Sequence, residues 1–356
     1  MRKILILIGL IFLIFACHKN GPSKGSLSVT LENIPHGTVL NLVDIETGSV
    51  VQRITVNNDC FSIGINLPTP KLFGIWEDNP KYEKYRKFVW LENSNITIKG
   101  NYEYFVNAKV EGSSSNLINE KFEKIEREFF NQLSNLKRLG AMANNIQIKD
   151  SISKEIIVVM AKFKEQKKQL YLNNIVTEVA FYKLVQEITD ENSLFHKKDI
   201  DSLYKLLPKK FQLSKNGDLL KEYIALPAKP KVGEKFVDCF LVTPDGKNQS
   251  ISENLGKFTL IEFWSSSCGP CRIEHPGLRK IYNRYHDKGL NIISISGDYN
   301  LDDWKDAIKK DSLTWANLSD LKGFQNKAFL IYGIKYIPQT ILLDKNGTIL
   351  NCNLFF

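Results

Sequence analysis

The chain is predicted to end in an α/β domain, a central sheet flanked by helices, preceded by an antiparallel β domain and a helical region. Three observations carry that prediction. From about Leu27 to Val110, apolar residues alternate with polar ones or cluster in short β-branched runs. From Leu117 to about Leu226 they recur instead at three- and four-residue steps. Beyond Leu226, strand-like and helix-like stretches alternate, the pattern of a sheet covered by helices.

The β domain, residues 27–112, follows the polar linker HKNGPSKGS and is read from LSVTL, TVLNLVDI, VVQRITV, FSIGI, KFVWL and NITIKG, with ETGS and VNND as turns. Its aromatic residues Phe73, Trp76, Tyr82, Tyr85, Phe88 and Trp90 are assigned to the core and rim of a β-sandwich in preference to a docking surface. EGSSSN marks the change of period. In the helical region, residues 113–226, Phe122, Ile125, Phe129, Leu133 and Leu136 form one apolar face. LPAKPKVGEKF is a Pro- and Lys-rich linker into the last domain, residues 231–356. Its strands are FVDCFLV, FTLIEFW, NIISIS, QTILLD and TILNCNL. Helices lie near Cys271–Asp287, Asp302–Lys310 and Lys322–Tyr332, and TPDGK and DKNGT are hairpin turns.

The net charge of +9 comes from lysines scattered along helix-like stretches, without a dense basic block interleaved with aromatics, so nucleic acid is excluded as a partner. The N-terminus carries a stronger signal. Arg2 and Lys3 precede an apolar run from Ile4 to Phe15, too short for the about 20 residues that a membrane span needs, followed by Ala16 and Cys17. A charged start, a short apolar core and a small residue read as an export signal over residues 1–17. The segment IFAC resembles the lipobox of bacterial lipoproteins, in which the cysteine, here Cys17, becomes the lipidated first residue. Phe15 is bulkier than the usual residue at its place, and plain secretion with Cys17 incidental is the alternative. Both readings place the chain where disulfides persist.

Besides Cys17, the cysteines are Cys60, Cys239, Cys268, Cys271 and Cys352. An odd number at irregular spacing is no disulfide framework, and one close pair with three singletons fits a functional pair beside buried, inert thiols. Cys268 and Cys271 follow an apolar strand and open a helix. There, unpaired amides and the helix dipole favour a thiolate on Cys268, and Arg272 adds positive charge. Pro270 suits an early helical position, and Cys271, one turn on, can reach the sulfur of Cys268. Zinc would need two further ligands, and no second C-x-x-C is present. Gly269 and Pro270 between the thiols argue against two ordinary core cysteines.

FWSSSCGPCRIEHPGL and the later YGIKYIPQTILLDKNGTI resemble the corresponding segments of the thioredoxin superfamily, in its extracytoplasmic TlpA/ResA-type branch of thiol-disulfide oxidoreductases. The resemblance covers roughly Lys231 to Phe356. The whole layout is similar to Bacteroidetes-type lipoproteins with an N-terminal β domain. The resemblance implies that Cys268 is the nucleophile and Cys271 the resolving thiol of a redox-active disulfide. It implies that Glu262 is a buried carboxylate handling the resolving thiol's proton, that Glu274 assists, and that Pro338 is a cis-proline facing the disulfide. Ile337 would then pair through its backbone with an extended substrate. His275 can tune Cys271, but an exposed helical histidine is the expectation. Two features depart from the family: Ser267 stands where tryptophan is usual, and the chain ends at NCNLFF without the usual final helix. The second leads to the expectation of an apolar sheet face that the helical region or a partner must cover.

The function expected is that of a lipid-anchored, periplasm-facing thiol-disulfide oxidoreductase of the cell envelope, without cofactor or metal. Its partners would be protein thiols and disulfides and an upstream membrane electron donor. The resemblance implies a reductant, with cytochrome c maturation as the setting. One alternative is a thiol peroxidase of peroxiredoxin type, for which Ser265 fits the hydroxyl position of P-x-x-x-[ST]-x-x-C but Ile261 replaces the proline. The other is a ligand-binding surface lipoprotein on a non-catalytic scaffold.

Overall fold

The computed structural model describes residues 23–77 and 85–354. The export segment with Cys17, Tyr82 of the aromatic series, and Phe355 and Phe356 lie outside the described residues. Two units divide the chain between Lys183 and Leu184.

Period-two alternation builds the first unit. Strands β1 (Gly25–Glu32), β2 (Thr38–Asp44), β3 (Val50–Val56), β4 (Cys60–Ile65), β5 (Lys71–Glu77), β6 (Lys87–Leu91), β7 (Asn95–Asn101) and β8 (Lys109–Glu111) form two sheets. Their strand orders are β4-β1-β7-β8 and β3-β2-β5-β6. Leu27, Val29, Ile96 and Ile98 of one sheet share a core with Leu40, Leu42, Phe73 and Ile75 of the other, which makes a sandwich. Every pair is antiparallel except β1 with β7, which run parallel. The strands between them in the chain supply the crossover that a parallel pair needs. Phe73 and Trp90 are buried, while Phe88 stands exposed with its ring against Trp76.

Helices α1 (Ser114–Met142) and α2 (Ile146–Asn174) follow. Ser113 caps α1 by accepting from the Asn116 N–H. Phe122, Phe129 and Leu136 are buried seven residues apart, and Ile125 and Leu133 are half-buried beside them, as the apolar spacing predicts. Phe129 stacks on Phe163 of α2 at 4.0 Å between ring centroids. The boundary between the units falls within α3 (Glu178–Gln186), so the helical region contributes to both.

The second unit opens with α4 (Lys197–Tyr204), α5 (Lys209–Gln212) and α6 (Lys215–Ala225). A hairpin of β9 (Phe240–Val242) and β10 (Asn248–Ser250) turns through TPDGK, with Gly246 at a φ of 87° that glycine adopts without a Cβ clash. Then come β11 (Phe258–Trp264), α7 (Gly269–Tyr285), β12 (Leu290–Ser296), α8 (Leu301–Asp311), β13 (Ala316–Leu318), α9 (Lys327–Tyr332), β14 (Gln339–Asp344) and β15 (Ile349–Cys352). The sheet order is β13-β12-β11-β14-β15. β11, β12 and β13 are parallel, and β14 and β15 join antiparallel.

β11, central and buried on both faces, sorts its side chains by alternation. Ile261 and Phe263 pack with Ile293, Ile341, Phe329 and Tyr332 on the α9 side. Leu260 and Trp264 pack with Ile292, Leu278 of α7 and Trp304 of α8 on the other. Glu262 falls between Leu260 and Trp264, so the pleat points a carboxylate into the face that α7 covers. The sheet face expected to be bare receives Leu354, which packs on this second cluster and exchanges hydrogen bonds with Thr340 Oγ1 at 2.7 and 2.9 Å.

Phe263, fully buried against Phe329 and Tyr332, anchors the α9 face. Phe263→Ala is expected to destabilise the fold by about 3–5 kcal/mol, because the cavity cannot fully collapse. The urea midpoint measures this, and a loss below about 1 kcal/mol would contradict the packing described.

Candidate active site

The loop after β11 delivers Cys268 to the start of α7. Its geometry is set from the neighbouring strand. The Gly297 N–H donates to the Trp264 carbonyl at 2.8 Å. The Ser266 N–H donates to both carboxylate oxygens of Asp298, at 3.1 and 2.9 Å, and the Ser266 hydroxyl donates at 2.6 Å. Ser296 adds a hydroxyl bond to the same carboxylate at 2.5 Å. The Cys268 N–H then closes a turn on the Ser265 carbonyl at 3.0 Å. Sequence reasoning passed over Asp298. The available signal was its place just past an apolar parallel strand, at the carboxyl end of the sheet where sites collect in open α/β folds.

Cys268 is the N-cap of α7, its sulfur accepting the Cys271 N–H at 3.2 Å, with Pro270 in the first turn. Cys268 and Cys271 are joined in a disulfide whose Cα atoms lie 5.3 Å apart. The two sulfurs are not equivalent. Cys268 is half-exposed, whereas Cys271 is 0% exposed within the cluster of Trp264 and Leu278. An incoming reagent therefore meets Cys268 first, and the helix N-terminal amides favour its thiolate.

Beneath Cys271 runs a buried chain of polar groups. Glu262 is 2% exposed, and His275 is 1% exposed. His275 Nε2 lies 3.0 Å from Glu262 Oε1, and Nδ1 lies 2.8 Å from Asp311 Oδ2. Arg272 grips Asp311 through two bonds of 2.8 and 2.7 Å. On the far side, Ser294 donates to Glu262 Oε2 at 2.5 Å, and the Trp315 indole donates to Ser294 at 2.7 Å. The expectation of an exposed His275 is thus corrected. Four residues beyond Cys271, it lies on the same face of α7, and that face, with Leu278, packs on the sheet. The glutamate below makes burial of an imidazole tolerable. Helical spacing from Cys271 was the signal that would have found it.

Burial works against the charged form of His275, but the hydrogen bonds and charges of Glu262 and Asp311 outweigh it and hold its proton above the usual histidine range. Glu274, half-exposed on α7, is raised by desolvation and by the charge of Glu262, with His275 opposing. Arg272 is the main cause holding the Asp311 carboxyl below its ordinary value, against desolvation and with help from His275.

The peptide bond between Ile337 and Pro338 is cis, and Ile337 packs against the cluster that contains Cys271. Lys335, just before, donates to the carbonyls of Asp190 at 2.7 Å and Glu187 at 3.4 Å, tying this loop to the chain beyond α3. Cys268, Cys271, Glu262, Glu274, Ile337 and Pro338 therefore gather around one end of α7. The other thiols stand apart. Desolvation pushes the Cys239 thiol up to about 12 and also raises Cys352. Cys60, expected to be buried, is exposed: the inward positions of β4 belong to Ile63 and Ile65.

Residues 232–351 match the model of the AhpC/TSA family. The thiol-disulfide oxidoreductase ResA of Bacillus cereus is 26% identical over 132 residues, covering 37% of this chain and 75% of the relative. The thioredoxin-like protein YneN of Bacillus subtilis is 30% identical over 120 residues, covering 33% of this chain and 68% of the relative. Among solved structures, the thioredoxin domain of a thiol-disulfide oxidoreductase from Bacteroides vulgatus is 33% identical, covers 36% of this chain and 91% of its own, and has a TM-score of 0.34.

Two outcomes are expected. In the folded, reduced protein, an alkylating reagent should modify Cys268 ahead of the exposed Cys60, and Cys239 last, because the thiolate is the reacting species. Mass spectrometry of timed samples gives the order, and Cys60 reacting before Cys268 would contradict the thiolate assignment. The second concerns pH. His275 has a folded value raised above that of a free imidazole, about 6.5, so its stabilisation is complete below that value and is lost as pH rises through the folded value. The gap in urea midpoint between wild type and His275→Gln should therefore narrow as pH rises from about 6.5 into the alkaline range. A gap that widens over that range would overturn the charge assignment.

Proposed function

This chain belongs to the thioredoxin-like thiol-disulfide oxidoreductases, and from that premise we propose that its Cys268–Cys271 pair exchanges with disulfides of protein substrates in the cell envelope. The observation that carries the reading is the asymmetric disulfide at the start of α7, with Cys268 half-exposed and Cys271 buried.

The chemistry runs in two steps. The Cys268 thiolate attacks one sulfur of a substrate disulfide, forming a mixed disulfide and releasing the other substrate sulfur as a thiolate. Cys271, its proton passed to Glu262, then attacks the Cys268 sulfur. The second substrate thiolate leaves and is protonated, and the Cys268–Cys271 bond closes. Two electrons have moved to the substrate, and a membrane electron donor returns the pair to the dithiol. Glu274, close enough to Glu262 to feel its charge, assists the proton transfers. The backbone of Ile337 pairs with the extended substrate segment beside cis Pro338.

Ser267 in place of the family's usual tryptophan removes one apolar surface beside Cys268. Exposed side chains follow or precede the site residues in the chain: Ile273 after Cys271, Tyr299 after Asp298 and Tyr336 before the cis bond, at 79, 73 and 52% exposure. Such side chains suit a protein substrate more than a small peroxide. The peroxidase alternative also meets Ile261 at the place of its proline. Ile261 sits within the central strand, paired on both sides by β12 and β14, where proline would break the ladder. The reading includes lipidation at Cys17, a periplasm-facing location and a reducing direction serving cytochrome c maturation. The resemblance of IFAC to a lipobox supports the anchor, and the resemblance of the active-site segment to the extracytoplasmic TlpA/ResA-type branch supports the direction. Among the described residues, no helix is long and apolar enough to cross a membrane.

Cys268→Ser is expected to abolish exchange, since the attacking thiolate is gone. Cys271→Ser should accumulate mixed disulfides, and Glu262→Ala should keep the attack but slow release. Non-reducing gels of cell envelopes show the trapped partners. Equal trapping by both cysteine variants, or trapping by neither above background, would overturn the assigned order. Peroxide consumption without disulfide exchange would replace this reading with the peroxidase.

A further inference from the structure

We propose that His275 is a positioning residue for the second exchange step: clamped between Asp311 and Glu262, it holds the buried carboxylate in place beneath α7, the helix that carries Cys271. This inference rests on the disulfide-exchange reading and adds to it the group that makes Glu262 usable as a proton acceptor.

A carboxylate at 2% exposure, under a helix and between Leu260 and Trp264, has lost its water and needs partners from the protein in exchange. Glu262 is not alone. One oxygen receives the Ser294 hydroxyl and the other faces His275 Nε2 at 3.0 Å. Neutral donors help, and a cation opposite a buried anion compensates it further.

The cation is itself held in place. Asp311, at the end of α8, accepts at Nδ1, and Arg272 locks Asp311 with two bonds. Arg279 donates to the Asp311 carbonyl at 3.0 Å, fixing the backbone beneath the carboxylate. The Trp264 ring stands edge-on to the imidazole at 4.9 Å between centroids and closes off water from that side. The charged groups facing His275 are thus Glu262 from β11, Asp311 from α8, and Arg272 and Glu274 from its own helix. Signs alternate from the half-exposed Arg272 inward through Asp311 and His275 to Glu262, so no buried charge lacks a partner of opposite sign. Both anions adjoining the imidazole favour its protonated form, consistent with the direction of its shift.

The position is also suited to Cys271. His275 lies one helical turn further on the same face, a spacing that brings side chains within about 5–6 Å at Cβ. A positive charge there favours the Cys271 thiolate directly, in addition to keeping Glu262 as acceptor. The step balances without another reactant. The thiol proton moves from Cys271 to Glu262, the sulfur–sulfur bond forms between Cys271 and Cys268, and the bond from Cys268 to the substrate breaks. The departing thiolate recovers a proton from Glu262 or water. His275 keeps its proton throughout.

Rapid mixing of the reduced full-length chain with oxidised glutathione, acid quench and intact mass separate three species: dithiol, Cys268–glutathione adduct, and closed disulfide. Adduct formation reports Cys268, and its conversion to the disulfide reports Cys271. In His275→Gln, adduct formation should stay within about twofold of wild type. Closure near pH 7 should slow by about tenfold or more, its half-maximal pH moving up by about one unit. Asp311→Asn should shift closure the same way by a smaller amount. A purely structural role for His275 would change melting or both rates together without moving the closure profile. Folded His275→Gln whose closure profile overlays wild type overturns the inference while leaving disulfide exchange standing. Wild type that forms neither adduct nor closed disulfide overturns the exchange reading itself. Should His275→Gln fail to fold, Asp311→Asn decides alone: an alkaline shift supports the inference, and an overlay overturns it.

Discussion

The constraint on which the site depends is a carboxylate placed in the interior of a sheet. β11 must be apolar on both faces to lie at the centre of five strands, yet its pleat directs Glu262 under α7. A charge in that position demands partners, and they come from four separate elements: His275 on α7, Ser294 on β12, and, one bond further out, Asp311 on α8 and Trp315 before β13. These bonds tie the helix carrying the cysteines to the strand beneath it and to the next helix. The same polar requirement that makes Glu262 expensive to bury therefore makes the seat of α7 specific.

A second buried carboxylate performs the matching task for the loop. Asp298 leaves the end of β12 and holds Ser266, two residues before Cys268. With α7 seated through His275 and the loop seated through Asp298, Cys268 is fixed from both sides at the helix N-terminus. The redox pair then combines rigid support with unequal exposure. The proposed division between an attacking and a resolving thiol rests on that combination. The loop of cis Pro338 is anchored independently, by Lys335 on the carbonyls of Glu187 and Asp190 after α3.

The first unit obeys simpler rules. Its sandwich buries alternate residues of two sheets, and its helical hairpin buries one apolar stripe, with Phe129 on Phe163 at the contact. Buried charges occur here too, Asp44 of β2 paired with Lys71 at 2.7 Å and Lys167 of α2 paired with Glu126 of α1 at 2.8 Å, yet the apolar periodicity that sets both arrangements was local and described both well. The parallel pairing of β1 with β7 was not visible, because strand direction in a pair depends on the path of the intervening chain and leaves no mark on alternation.

Local pattern in the sequence was sufficient for the element types and the C-x-x-C at a helix start, while the burial of Glu262 and the cis-proline after Ile337 came from the resemblance of two short segments to a known family. The element types and the helix start follow from neighbours within about one turn or one strand, where period and residue type carry the information. The tertiary structure decided the rest. It buried His275, which as a lone histidine on a charged helix looked like a surface residue, because Glu262 and Asp311 arrive from 13 and 36 residues away to pair it. It brought Asp298 to Ser266 across 32 residues of sequence, and it turned Cys60 outward at the start of an edge strand. A polar side chain's burial depends on who meets it there, and only the folded chain determines that meeting.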